Sequence, residues 1–297
     1  MTIQKIKPRI ADVGGIPVAR ALPNRERRTI GSWCFLDHAG PARFEEGNPG
    51  MQVGEHPHIN LQTFTWMLEG EVLHKDSLGN EQLIRRKQVN LMTAGHGIAH
   101  TEQTPPGINV LHAVQLWIAL PQSETPIAPA FEHYPQLPEW MQANTRFTLL
   151  TGEFAGRLAP TRQFTPLVCV DIEALGPDNV ELALNPEFEY GLFLITGAPA
   201  SINDELFELN EVAFLGTGKN TVRINTTAES RLLLLGGTPI DVPDFQIWWN
   251  FVGSRNDIIQ AQKDWNAHDP RFGKVDTDMK RLTPPDLPWV DKAQPAS

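Results

Sequence analysis

Along most of the chain, apolar positions alternate with polar ones in short runs rich in Val, Ile, Leu, Phe and Thr, separated by Gly, Asn, Asp and Pro. A period of two puts alternate side chains on opposite faces of an extended segment, so these runs predict strands with one buried face. The stretch "TFTWMLEGEVLHKDSLGNEQLIRR" (63–86) predicts two arms, at about 71–75 and 81–85. They are joined by a turn at "DSLGN" (76–80), where Gly79 and Asn80 tolerate positive φ. Helical periodicity is scarce. The best segment is "GSRNDIIQAQKDWN" (253–266): Ser254 is placed to cap, Asp257 follows three residues later, and Ile258, Ala261 and Trp265 fall at helical spacing before Pro270. The predicted class is all-β with a short C-terminal helix.

The strand pattern repeats. "TWMLEGEV" (65–72) has the shape of "LFLITGAP" (192–199), and "RKQVNLMTAGHG" (86–97) that of "LNEVAFLGTG" (209–218), which predicts two similar β units in tandem. Between them "PQSETPIAPAFEHYPQLP" (121–138) carries five prolines, which block a regular ladder and predict an extended connector. The expected boundary gives an N-terminal unit over 1–134 and a C-terminal unit over 135–297.

With 297 residues, the chain has room for two such units, each with its own core. A net charge of −10 repels phosphate backbones, so direct nucleic-acid binding is not expected; the one basic cluster, "NRERR" (24–28), is short and contains a glutamate. The N-terminal stretch has no apolar run of signal-peptide length, and no run is long enough to span a bilayer, so a cytoplasmic protein without a membrane association is expected. Cys34 and Cys169 lie far apart without CxxC context, which argues against a disulfide framework and a thiolate metal site and for buried thiols.

Seven of the nine histidines precede the proline-rich connector, so the chemistry is sought in the first unit. In "EHPH" His56 and His58 are two apart and project from one face of an extended strand; His100 and Glu102 in "AGHGIAHTE" do the same. One such pair is weak evidence for a metal. Two pairs on neighbouring strands offer three imidazoles and a carboxylate, and burying that set without a cation is costly. The second unit carries Ala183 and Asn185, and Thr221 and Arg223, at the equivalent positions, so only the first is expected to bind metal. The ligand types admit Fe, Mn, Ni, Cu or Zn. Phe64 and Trp66 share the parity of the histidines and serve either as the floor of an aromatic pocket or as core; Gln62, His112 and Gln115 are further candidates for lining the cavity. Asp37 and His38 read as structural or as supports of the site, His74 and His96 as solvated, and Trp248 and Trp249 as packing.

The HPH and "GHGIAH" motifs resemble those of the cupin β-barrel. With "FLDHAGP", "VLHAVQLWIALP", "QIWWNFVGSRNDI" and "DPRFGKV" in that order, nearly the whole chain is similar to the pirin family. The resemblance implies a bicupin: two β-barrel units, the first holding a metal, usually iron, through His56, His58, His100 and Glu102. It favours Fe(II). It further implies quercetin 2,3-dioxygenase-type cleavage of a flavonol by O2, with Glu102 accepting the hydroxyl proton. Alternatively, it implies an iron-dependent, redox-sensing regulator acting through protein partners. The chain has Gln62 where pirins usually carry Glu.

Overall fold

A computed structural model describes residues 3–122 and 126–289. The alternating runs fold into two β units. The first is built from β1 (Gln4–Ile6), which it lends to the other unit, then β2 (Arg9–Val13), β3 (Ile16–Leu22), β4 (Trp33–Arg43), β5 (Gln52–His58), β6 (Leu61–Asp76), β7 (Glu81–Arg85), β8 (Val89–Thr93), β9 (Ile98–Gln103), β10 (Val110–Ala119) and β11 (Ala130–Tyr134). Its main sheet runs β11-β8-β6-β10-β4-β3-β2. The long β6 bends out of this sheet, so that its far end pairs with β7 and with β9, and β9 pairs with β5. The second unit has a seven-stranded sheet and a four-stranded one.

The predicted hairpin forms as expected, with Glu71 opposite Arg85 and Lys75 opposite Glu81. The helix, α1 (Arg255–Asn266), also forms: the Ser254 hydroxyl accepts from the Asp257 N–H, and the Asp257 carboxylate accepts from the Ser254 N–H. That reciprocal cap satisfies two otherwise orphaned donors. Ile258, Ala261 and Trp265 pack against Ile59, Ala99 and Phe251, so α1 covers the outer side of β5 and β9.

The repeat holds at residue level. Trp66 pairs with Val89 in the first unit and Phe193 with Val212 in the second, each aromatic four residues before a positive-φ glycine, Gly70 or Gly197. The connector is more regular than expected. Its proline-free stretch Ala130–Tyr134 pairs along β8 as an edge strand, with the prolines flanking it. Ser123–Thr125 lie outside the described residues.

Both ends of the chain cross between units. β1 pairs with the second unit's strand Val212–Gly216. In return, the segment after the second sheet lies over the first unit: Phe251 bridges Ile59, and Leu282 N–H donates to the Glu55 carbonyl at 2.8 Å. A large apolar cluster containing Trp33, Phe64, Trp66, Phe193 and Leu233 joins the units.

Candidate metal centre

Among the described residues β5 pairs as a strand with β9 alone, and Pro57, which has no N–H to give a ladder, sits within the HPH motif. His56 stands opposite His100, and the three predicted imidazoles converge: ring centroids are 5.0 Å apart for His56–His58, 4.3 Å for His56–His100 and 5.0 Å for His58–His100. All three side chains are buried. His56 Nδ1 lies 2.8 Å from the Gly54 carbonyl and His58 Nδ1 lies 3.0 Å from the Asn250 carbonyl. A carbonyl only accepts, so each Nδ1 carries the proton and each Nε2 keeps its lone pair for the centre. Burial, reinforced by the neighbouring histidine charges, pushes His56 down to about 4 and His58 and His100 well below the ordinary imidazole value. The rings are therefore neutral, which is the ligating form, and the donor set fits a divalent transition metal.

Glu102 sits differently. Its carboxylate groups with His74 and His100, within 4.8 Å, rather than with His56 and His58. Burial raises its pKa, while the charge of His74 pulls the other way. The structure thus brings three of the four expected ligands together and places the fourth beside the third.

The centre opens into a cavity of about 550 Å³. Of the five residues expected to line it, Gln115 does so, joined by a hydrogen bond from Thr65 Oγ1 at 2.7 Å. Gln62, Phe64, Trp66 and His112 do not. For the three on β6 the reason is Asn60, whose φ of +55° breaks the chain between β5 and β6 and shifts the parity by one, whereas His112 lies between the cavity-lining Leu111 and Ala113 of β10 and faces away. Thr63 and Thr65 face the cavity instead, while Phe64 and Trp66 turn into the core shared by the two units. Gln62 is fully buried and donates to Thr93 Oγ1 at 3.0 Å, and its Oε1 has no hydrogen-bond partner among the described residues. His112 contacts His38, Nε2 to Nε2 at 2.7 Å, and His38 Nδ1 reaches Asn210 Oδ1 of the second unit at 2.6 Å.

Sequence reasoning missed three features. Phe35 and Trp117 stack at 3.9 Å, and Trp117 stands edge-on to His58 at 5.1 Å, giving the cavity an aromatic wall next to the centre. Trp248 and Trp249, expected only to pack, also line the cavity. His74, expected in solvent, is buried and bonded to Asp76 at 3.1 Å; His96 is exposed as expected. His74 on the predicted arm and Asp76 at the first position of the predicted turn are two apart, the same spacing that flagged the HPH pair, and in the structure both lie on β6.

A double β-barrel with three convergent buried imidazoles in its first unit defines a cupin-type protein with a candidate metal site. The pirin family model matches residues 15–118 and the pirin C-terminal cupin domain matches residues 169–273. A Pseudomonas aeruginosa protein whose name makes it a candidate quercetin 2,3-dioxygenase is 51% identical over 295 residues, covering 98% of this chain and 93% of that one. The crystal structure of a quercetin 2,3-dioxygenase from Acinetobacter baumannii superposes with a TM-score of 0.93 at 47% identity, covering 97% of each chain. The bacterial pirin YhhW from Escherichia coli, solved in complex with nickel(II), shares the fold at a TM-score of 0.64 and 19% identity, over 80% of this chain and all of that one. The chain belongs to the pirin family. Among the described residues, no helix is long and apolar enough to cross a membrane.

Proposed function

We propose that this pirin is a metal-dependent dioxygenase of the quercetin 2,3-dioxygenase type, which cleaves a flavonol with O2 and releases carbon monoxide at a mononuclear Fe(II) held by His56, His58, His100 and Glu102. The observation that carries the proposal is the buried imidazole triad opening directly into an aromatic-walled cavity of about 550 Å³. A drug-sized aromatic molecule fits a cavity of that class.

When bound, the iron would supply Lewis acidity and open coordination positions for the chelating oxygens of the substrate and for O2. The chain's own residues do the rest. His56 and His58 are held in one tautomer by backbone carbonyls, so their donor atoms need no reorganisation. Phe35, Trp117 and Trp249 offer flat surfaces to a planar ring system, and the Thr65–Gln115 pair adds polar atoms on the wall. Glu102, with its basicity raised by burial, takes the proton from the flavonol 3-hydroxyl.

The test is elemental analysis of protein purified without oxygen, followed by oxygen uptake on a flavonol panel with detection of carbon monoxide. Iron content with stoichiometric uptake and carbon monoxide release is expected. Cleavage that proceeds equally fast without oxygen, or without carbon monoxide, would sink the proposal.

A further inference from the structure

The tautomers of two of the three imidazoles are fixed by carbonyls, but among the described residues His100 has no such partner. Its Nε2 lies 3.0 Å from His58 Nε2, and its Nδ1 lies 3.3 Å from Nδ1 of His74. The Nδ1 atoms of His100 and His74 face each other and one donates while the other accepts, so the direction of that contact decides whether Nε2 of His100 carries a lone pair or a hydrogen. Building on the metal-centre reading above, we propose that Asp76 and His74 form a relay that fixes the tautomer of His100 and thereby makes its Nε2 available to the metal.

The proton logic starts at Asp76. Its Oδ1 accepts from the N–H groups of Leu78 and Asn80 at 2.9 and 3.1 Å, and the Asn80 side-chain amide reaches both oxygens at 3.0 Å. A metal taking the lone pair of His100 Nε2 requires the His100 proton on Nδ1, and this arrangement is matched when His74 donates from Nε2 to Asp76 Oδ2, 3.1 Å away. Nδ1 of His74 is then an acceptor. His100 must donate from its own Nδ1, and its Nε2 is left as a lone pair facing His56 and His58. The ring of His74 is held in plane by stacking on Phe131 of β11, at 4.4 Å and 16°. His74 and Asp76 are thus positioning residues, acting on the metal only through His100.

Asp76→Asn keeps the shape of the side chain and its oxygen for the turn, but aims an amide N–H at His74. The relay then reverses: His74 donates from Nδ1, and the proton on His100 moves to Nε2, where metal must displace it. His74→Phe keeps a ring against Phe131 and removes the relay. Loss of the groups that orient a metal-ligating histidine typically weakens metal binding about 10- to 100-fold. Co(II) serves as the probe, with its dissociation constant measured by chelator competition, its visible spectrum recorded, and the thermal midpoint of each metal-free protein measured alongside.

Both variants are expected to weaken Co(II) binding by about 10- to 100-fold, with an altered Co(II) spectrum. Because Asp76 acts only through His74, the double variant should bind no more weakly than His74→Phe. Binding by both single variants within threefold of wild type overturns the relay, whatever happens to the thermal midpoints. So does a double variant whose losses add. A wild-type protein that takes up no Co(II) overturns the metal centre itself, and the relay with it, so the two failures are distinct.

Discussion

Gln62 illustrates how far a single position can be judged from sequence. It departs from the usual pirin residue and lies four positions after His58, which makes it look like a partner of the centre. In the structure it faces away from the cavity, fully buried, with one hydrogen bond to Thr93 and an unpartnered Oε1. Gln62→Glu would therefore bury a carboxylate with a single donor. It should lower stability by about 1–3 kcal/mol in urea denaturation, while kcat/KM for a flavonol stays within threefold of wild type. Trp249 is the opposite case. It read as packing, yet it lines the cavity with its backbone held at φ +50°, a conformation that bulky residues adopt rarely. Trp249→Ala should raise KM for a flavonol about tenfold, with kcat little changed, because it removes binding surface shared by ground and transition states; a steady-state comparison decides.

At the scale of elements, what depends on near neighbours was legible and what depends on backbone breaks was not. The hairpin around Gly79 and the capped helix α1 formed where the pattern put them, since a turn residue and a capping residue act within four positions. The cavity face of β6 did not. One positive-φ residue, Asn60, reverses which side chains face inward, and nothing in the alternation itself marks it. The histidine cluster survived this because each of its pairs lies within one strand. Crossing segments were equally invisible. A Cβ on Gly54 would run into the Lys280 carbonyl oxygen, where the C-terminal segment passes over β5. Gly54→Ala should therefore displace that segment, which also bonds to Glu55 through Val275 and Leu282. Faster hydrogen exchange at the Val275 and Leu282 amides, together with a lower thermal midpoint, is the expected result.

For the whole molecule, the tandem repeat announced two units, but not the polar groups sealed between them. His112, His38 and Asn210 form one chain of contacts across the boundary. Arg231 and Asp171 form a buried bidentate pair at 2.8 Å in the second unit, with the guanidinium 6.0 Å from the Trp66 ring of the first. Burial, followed by the charges of His38 and Arg231, pushes His112 down to about 3, and burial also lowers His38. Because the folded values lie below the unfolded value of about 6.5, the stability tied to these rings is complete above that pH and is lost as pH falls toward the folded values. Each imidazole that must charge contributes a slope of about 1.4 kcal/mol per pH unit. His112→Gln should flatten the decline in unfolding free energy between pH 6 and pH 4 by about one proton's worth, measured by denaturant titration across that range. The exchange of chain ends has a different consequence. Since β1 completes the second unit's sheet while the residues after the second sheet wrap the first unit, each half is fastened by a piece of the other. The peptide link between Pro121 and Pro138 is then not what keeps the halves together. Protease nicking there should leave a noncovalent pair that elutes as one particle and unfolds in a single transition.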